Sequence, residues 1–285
     1  MKTNLAREVS KQAFNELVEA VEAGKSQKLV EYLKAMGRFH NYSLGNVILI
    51  GFQRPDATHV AGFRTWQKLG RHVKKNEKGI AIMAPIVWRK KAMHADNEDQ
   101  QESKEETALA FKTAYVFDVS QTDGKPLPEF ARTQGDPGAY TERLERFISS
   151  RGIKLERSNL RIAEGISIGG TILLKASLAP AEEFSVLVHE TAHEMLHLDP
   201  ANRPEDKTVR EAEAEAVAFV VCHGIGLDTN SASSDYIQLY NGDKETLMES
   251  LERIQKTASE ILEAVMDKES ESDTADGEIC VVVAA

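Results

Sequence analysis

Cysteine is nearly absent. The 285 residues hold two, Cys222 and Cys280, with no metal-ligand or redox spacing between them. That argues against a disulfide framework and for a reducing compartment. Long apolar runs are missing too: nothing reaches the roughly 18 residues that a membrane span needs. The opening residues, MKTNLAREVS, lack the apolar stretch of a secretory signal. No internal repeat of about 20–50 residues is visible, so a solenoid is excluded. The expectation is a soluble cytoplasmic protein, long enough for one large domain or two small ones.

Charge is unevenly spread. The chain carries a net charge of -10, yet residues 1–91 hold 17 Lys+Arg against 7 Asp+Glu, and residues 92–285 hold 18 against 38. A basic first part and an acidic second part suggest two domains, the basic one able to meet a polyanion.

Hydrophobic periodicity predicts helices in LAREVSKQAFNELVEAVEAG, SQKLVEYLKAMG, NYSLGNVILIGFQRP and FRTWQKLG, then strands in GIAIMAPIVW and TAYVFDVS. The polar, acidic stretch at 91–110 between those strands reads as a disordered or variable excursion. QTDGKPLPEFARTQGDPG, with three prolines and three glycines, reads as a linker over 121–138. It separates a domain at 1–120 from one at 139–268, and residues 269–285 read as a flexible tail. The second domain should hold a helix near AYTERLERFISSRG, short strands in IKLER and ISIGGTILLK, and three further helices. The fold class is therefore α+β.

Histidine is the next scarce residue, and its placement is not random. Of eight, three fall in VLVHETAHEMLH, at His189, His193 and His197. Residues four apart share a helix face, so His189 and His193 can aim two imidazoles at one metal ion, with Glu190 beside it as general base. This is the HExxH arrangement of zinc peptidases. A third ligand is needed, and the next helix offers EAEAEAVAFVV. Glu213, which heads an E-x-x-A-x-x-F pattern, is the first choice, followed by Glu215 and Glu211. Small alanines along that helix would let it approach the histidine helix closely. His197 lies one turn too far along to be an obvious ligand, and His223 carries no functional reading. Tyr236 is either an oxyanion-stabilising group or a core tyrosine.

The basic part carries FRTWQKLGRHVKKNEKGI, with Arg64, Lys68, Arg71, Lys74, Lys75 and Lys78 against the single acid Glu77. Such cations neutralise phosphates. Tyr42, Phe63 and Trp66 offer stacking faces for unpaired bases, and Asn46 and Gln53 offer polar contacts to backbone or base edges. Trp66 could equally be a core anchor.

Residues 40–91, above all AGFRTWQKLGR with the lysine-rich turn after it, resemble the N-terminal domain of ArdC-type antirestriction proteins. HETAH with EAEAEAVAFVV is similar to that family's C-terminal metallopeptidase-like domain, akin to the ImmA/IrrE peptidases. The resemblance implies an N-terminal domain binding single-stranded DNA, a C-terminal gluzincin-like domain holding Zn2+, and protection of incoming mobile DNA from host restriction. Two other readings stay open: a DNA-coating protein whose zinc site is catalytically unused, and a peptidase whose substrate is a restriction-system or regulatory protein.

Overall fold

The computed structural model describes residues 4–89, 107–127, 136–161, 163–201, 203–227, 236–240 and 243–266. The expected tail, the acidic stretch from 90 to 106 and the middle of the expected linker lie outside the described residues. The fold is α+β.

Three helices begin the chain: α1 (Asn4–Glu22), α2 (Ser26–Arg38) and α3 (Leu44–Gln53). Their apolar residues recur at helical spacing and point inward, as Leu29, Leu33 and Met36 do on α2. Next come β1 (Val60–Gly62), α4 (Phe63–Lys68) and β2 (Arg71–Val73), then the long pair β3 (Ile80–Arg89) and β4 (Thr107–Asp118), and the short β5 (Thr122–Gly124). An antiparallel sheet runs β1-β4-β3, and β2 pairs with β5. β4 thus takes in the last residues of the stretch read as an acidic excursion, and β5 falls inside the stretch read as a linker.

Strand β3 is an edge, and α3 closes it. Asn46 donates to Met83 O and accepts from Met83 N, while Gln53 does the same for Ala81. Two side-chain amides, seven residues apart on one helix face, replace a missing strand. Alternation puts Pro85 on the same outward side, where its missing N–H costs no ladder bond.

The second part holds α5 (Ala139–Ser150), β6 (Lys154–Ser158), β7 (Gly165–Ser167), β8 (Thr171–Lys175), α6 (Pro180–Leu196), α7 (Lys207–Gly224) and α8 (Lys244–Met266). Its sheet runs β6-β8-β7, with β6 parallel and β7 antiparallel to β8. Helix α7 is central and packs against α2, α6 and α8. It is therefore buried nearly all round, from Val209 to Cys222.

One hydrophobic core runs from α1–α3 through α5–α8. Glycine allows a close approach between the two parts: a Cβ on Gly37 of α2 would stand 2.6 Å from Val220 O of α7. Tyr236 is a core residue, buried against Phe219. Among the described residues no helix is long and apolar enough to cross a membrane.

Candidate metal centre and nucleic-acid face

Helix α6 starts with Pro180 in its first turn and Glu182 and Glu183 at its positive end. Phe184, Leu187, Val188 and Ala192 bury one face. The adjoining face carries His189, His193 and His197 on successive turns. His189 Nε2 lies 3.1 Å from His193 Nε2. Glu211 Oε2, from α7, stands 3.7 Å from His189 Nε2 and 3.4 Å from His193 Nε2. Three zinc donors at about 2.0–2.1 Å in a tetrahedron would be about 3.3 Å apart. Two imidazole nitrogens and one carboxylate oxygen therefore sit at the spacing one small divalent ion requires. Glu215 Oε2 is 3.4 Å from His189 Nδ1, on the far side of that ring.

The sequence put Glu213 first as third ligand; the structure brings Glu211 to the two histidines instead. Glu213 is fully buried, its Oε2 3.0 Å from His197 Nε2 and its Oε1 3.0 Å from Arg253 Nε of α8. Residues 211 and 215 are one turn apart on α7, whereas 213 points about 200° away. Burial would raise the Glu213 carboxyl, but bonds from His197, Arg253 and Ser250 outweigh it and hold it below the usual carboxylate range.

Glu190 is 8% exposed and faces β7, whose Ser167 N–H it accepts. Burial raises its pKa, with Glu211 and Glu194 adding to the shift and His189 opposing it. A carboxyl tuned upward is suited to taking a proton near neutral pH. Burial, with His189 next, pushes His193 down to about 4, keeping it a neutral potential ligand. Glu194 has a different task. It accepts from Ser167 Oγ, Gly169 N and Gly170 N, tying the β7–β8 turn to the histidine helix.

The basic segment divides sharply. Trp66 is 2% exposed and donates its Nε1–H to Phe117 O, so it is the core anchor of its two readings. Asn46 and Gln53 are spent on the β3 edge. Arg71 is tied to Thr122, Gly124 and Lys125, locking β2 to β5. Tyr42 is half-buried beside Phe39, its hydroxyl 3.4 Å from Val60 O. Lys74 donates to Ser120 O. Arg64, Lys68, Lys75 and Lys78 are exposed.

Sequence reading missed an aromatic row. Phe111 and Tyr115 lie on one face of β4 and are 40% and 48% exposed. Phe117 continues that face, and Phe63, 49% exposed, meets it edge-on at 6.4 Å between ring centres. Alternation in LAFKTAYVFD carried this signal, but its first residues looked like the end of a polar excursion.

Residues 7–117 match the family described as the N-terminal domain of anti-restriction factor ArdC. A Bacillus anthracis protein described as uncharacterized is 29% identical over 291 residues, covering 86% of this chain. The chain spans 49%, about half, of that relative's length. Two crystal structures of the antirestriction ArdC protein from plasmid R388 share the fold. The metal-free one has TM-score 0.53 and 20% identity, over 92% of this chain and 98% of that one. The Mn(II)-bound one has TM-score 0.52 and 21% identity, over 93% and 99%.

Proposed function

We propose that this chain, whose residues 7–117 match the family of ArdC N-terminal domains, is an antirestriction protein with two working surfaces. One binds single-stranded DNA, and the other is a peptidase-like centre holding a divalent metal ion. The observation that carries the reading is the convergence of His189, His193 and Glu211 beside a buried Glu190.

A fold relative crystallised with Mn(II) supports the metal. Two imidazoles and one carboxylate at tetrahedral spacing favour zinc as the ion. When bound, the ion supplies Lewis acidity toward a water molecule or a carbonyl. The remaining chemistry belongs to the chain. Glu190, its carboxyl raised by burial, takes the proton of the attacking water and returns it to the leaving amine. Because Ile168 N bonds Thr171 O and Lys175 N bonds Glu164 O, the backbone of residues 164 and 168 faces β8. Gly165 and Ser167 therefore turn their outer edge away from β8; Glu190 holds the Ser167 N–H, and the carbonyls of that edge are left for an extended peptide to pair with.

On the N-terminal surface, Phe63, Phe111 and Tyr115 provide faces on which unpaired bases stack. Arg64, Lys68, Lys75 and Lys78 supply the cations that neutralise phosphates. Duplex DNA hides those base faces, so single strands are preferred.

The deciding experiment compares wild type and Glu190→Gln for metal content, single-strand affinity and protection of incoming DNA in cells. Retained metal and DNA binding with lost protection supports proteolysis as the route. Undiminished protection makes DNA coating sufficient, and the peptidase part of the proposal falls.

A further inference from the structure

His193 and Arg253 belong to different helices and do not touch, yet a continuous line of hydrogen bonds joins them. His193 Nδ1 is 2.9 Å from His197 Nδ1, and His197 Nε2 is 3.0 Å from Glu213 Oε2. Arg253 reaches Glu213 Oε1 through both Nε and Nη2, and Nη2 also meets Ser250 Oγ. The line runs from the edge of the metal centre into the core. The side chain of His197 is 5% exposed and that of Glu213 is 0% exposed.

We infer that Glu213 and Arg253, acting through His197, fix the ring of His193 with its proton on Nδ1 and its bare Nε2 toward the ion site. The inference rests on the metal reading above. It makes Glu213, His197 and Arg253 positioning residues for the ligand His193.

Donor and acceptor polarity sets the direction of the line. A neutral imidazole has one donor and one acceptor nitrogen, and a guanidinium has donors only and is always charged. Arg253 therefore makes Glu213 the acceptor at its end of the line. His197 must then donate from Nε2, which leaves its Nδ1 as an acceptor. His193 in turn must donate from Nδ1, which leaves Nε2 with a free lone pair. Reversing the protons would face the lone pair of His197 Nε2 against a carboxylate oxygen at 3.0 Å, with no proton between them. With both imidazoles neutral, only one direction is satisfied at every joint from His193 Nδ1 to Arg253, and it leaves His193 Nε2 bare opposite Glu211 Oε2 at 3.4 Å, as a cation held between them requires.

The two histidine ligands are thus oriented by different means. His189 Nδ1 meets the Glu215 carboxylate directly, at 3.4 Å. For His193 the bridge is His197, one turn further along α6, which reaches the carboxylate of Glu213 on the deeper face of α7. An outer partner that fixes the ring and tautomer of a metal-binding histidine raises affinity, and its loss typically costs about 10- to 100-fold.

The test uses the full chain labelled with 15N-histidine and compares wild type, His197→Phe, Glu213→Gln and Glu211→Gln. Ring nitrogens are read by NMR in metal-free protein, and Zn2+ and Mn2+ are titrated separately. In wild type His193 should show a protonated Nδ1 and a bare Nε2. His197→Phe and Glu213→Gln should give a mixture of tautomers and about 10- to 100-fold weaker binding of both ions. Glu211→Gln should lose the ion but keep the single tautomer, a separation that a merely structural role would not produce. If Glu213→Gln fails to fold, the double variant Glu213→Leu/Arg253→Met replaces it, because removing both charges together spares the core an unpaired ion. A wild-type His193 protonated on Nε2 overturns the inference. So does a single tautomer in His197→Phe with affinity changed by less than about twofold. Wild type that takes up neither ion while showing the Nδ1–H form overturns the metal reading but supports the relay.

Discussion

Gly165 of β7 sits against Glu190 so closely that a Cβ there would stand 2.7 Å from Glu190 Cγ and 2.8 Å from Oε1. The bare backbone of one residue fixes the place of the proposed base. Gly165→Ala must push the carboxylate or the strand aside. It should cost about 1–3 kcal/mol in urea denaturation, and about 100-fold in any peptide cleavage for a displacement near 1 Å. Metal content should be unchanged. Cleavage that survives the substitution intact would show that Gly165 does not hold the Glu190 carboxylate in place, the Val186 side chain, equally close at 2.7 Å, having given way instead.

Metal uptake should be about one divalent ion per chain. His193→Ala and Glu211→Gln should abolish it, and Glu215→Gln should weaken it by roughly 10-fold. Elemental analysis of dialysed protein measures all three. Full occupancy in Glu211→Gln would remove Glu211 from the ligand set.

Single-strand binding should depend on rings that face solvent. Phe111→Ala and Tyr115→Ala should each weaken it by about 1–3 kcal/mol without disturbing the fold. Trp66→Ala should instead lower stability by about 3–5 kcal/mol. Replacing both Lys75 and Lys78 by Gln should flatten the salt dependence by about 0.7 in slope for each phosphate no longer neutralised. Fluorescence anisotropy with labelled single strands across salt concentrations measures each effect; equal losses on duplex DNA would count against stacking.

Asp118 is 2% exposed and accepts N–H bonds from Thr58, His59 and Ser120. Burial alone would raise its carboxyl, but these bonds outweigh burial and hold it below the usual 3.8. A carboxyl lowered by folding stabilises the protein above its unfolded pKa and loses that contribution as pH falls through the folded one. Asp118→Asn should therefore cost about 1–3 kcal/mol at neutral pH. The gap from wild type should close as pH drops below about 4. Urea denaturation across that range decides it, since a gap independent of pH would mean the charge contributes nothing.

Gly37→Ala should weaken the seam between α2 and α7 by about 1–3 kcal/mol, because the facing atom is backbone and cannot swing away. Calorimetry of the full chain should show the whole transition moving down. A shift confined to one of two separate transitions would show instead that the parts melt independently.

The sequence by itself determined whatever depends on period and composition. Four-residue spacing put His189 and His193 on one helix face, with Glu190 beside them, before any packing was known. Alternation and turn residues likewise placed most helices and strands. What it left open was rotation. Glu211, Glu213 and Glu215 are chemically alike, yet the first and last share one face of α7 and Glu213 stands on the opposite one. Which of them meets the histidines depends on how that helix is turned by its seam with α2 and by Arg253 reaching in from α8. The same holds in the basic part. Trp66, Asn46 and Arg71 are as suited to DNA as to a core, and only the pairing of β4 with β1 and β3, and of β2 with β5, assigns them inward. That pairing also turns Phe111 and Tyr115 outward. A side chain's chemistry is local, but whether water or protein surrounds it is decided by elements far away in the chain.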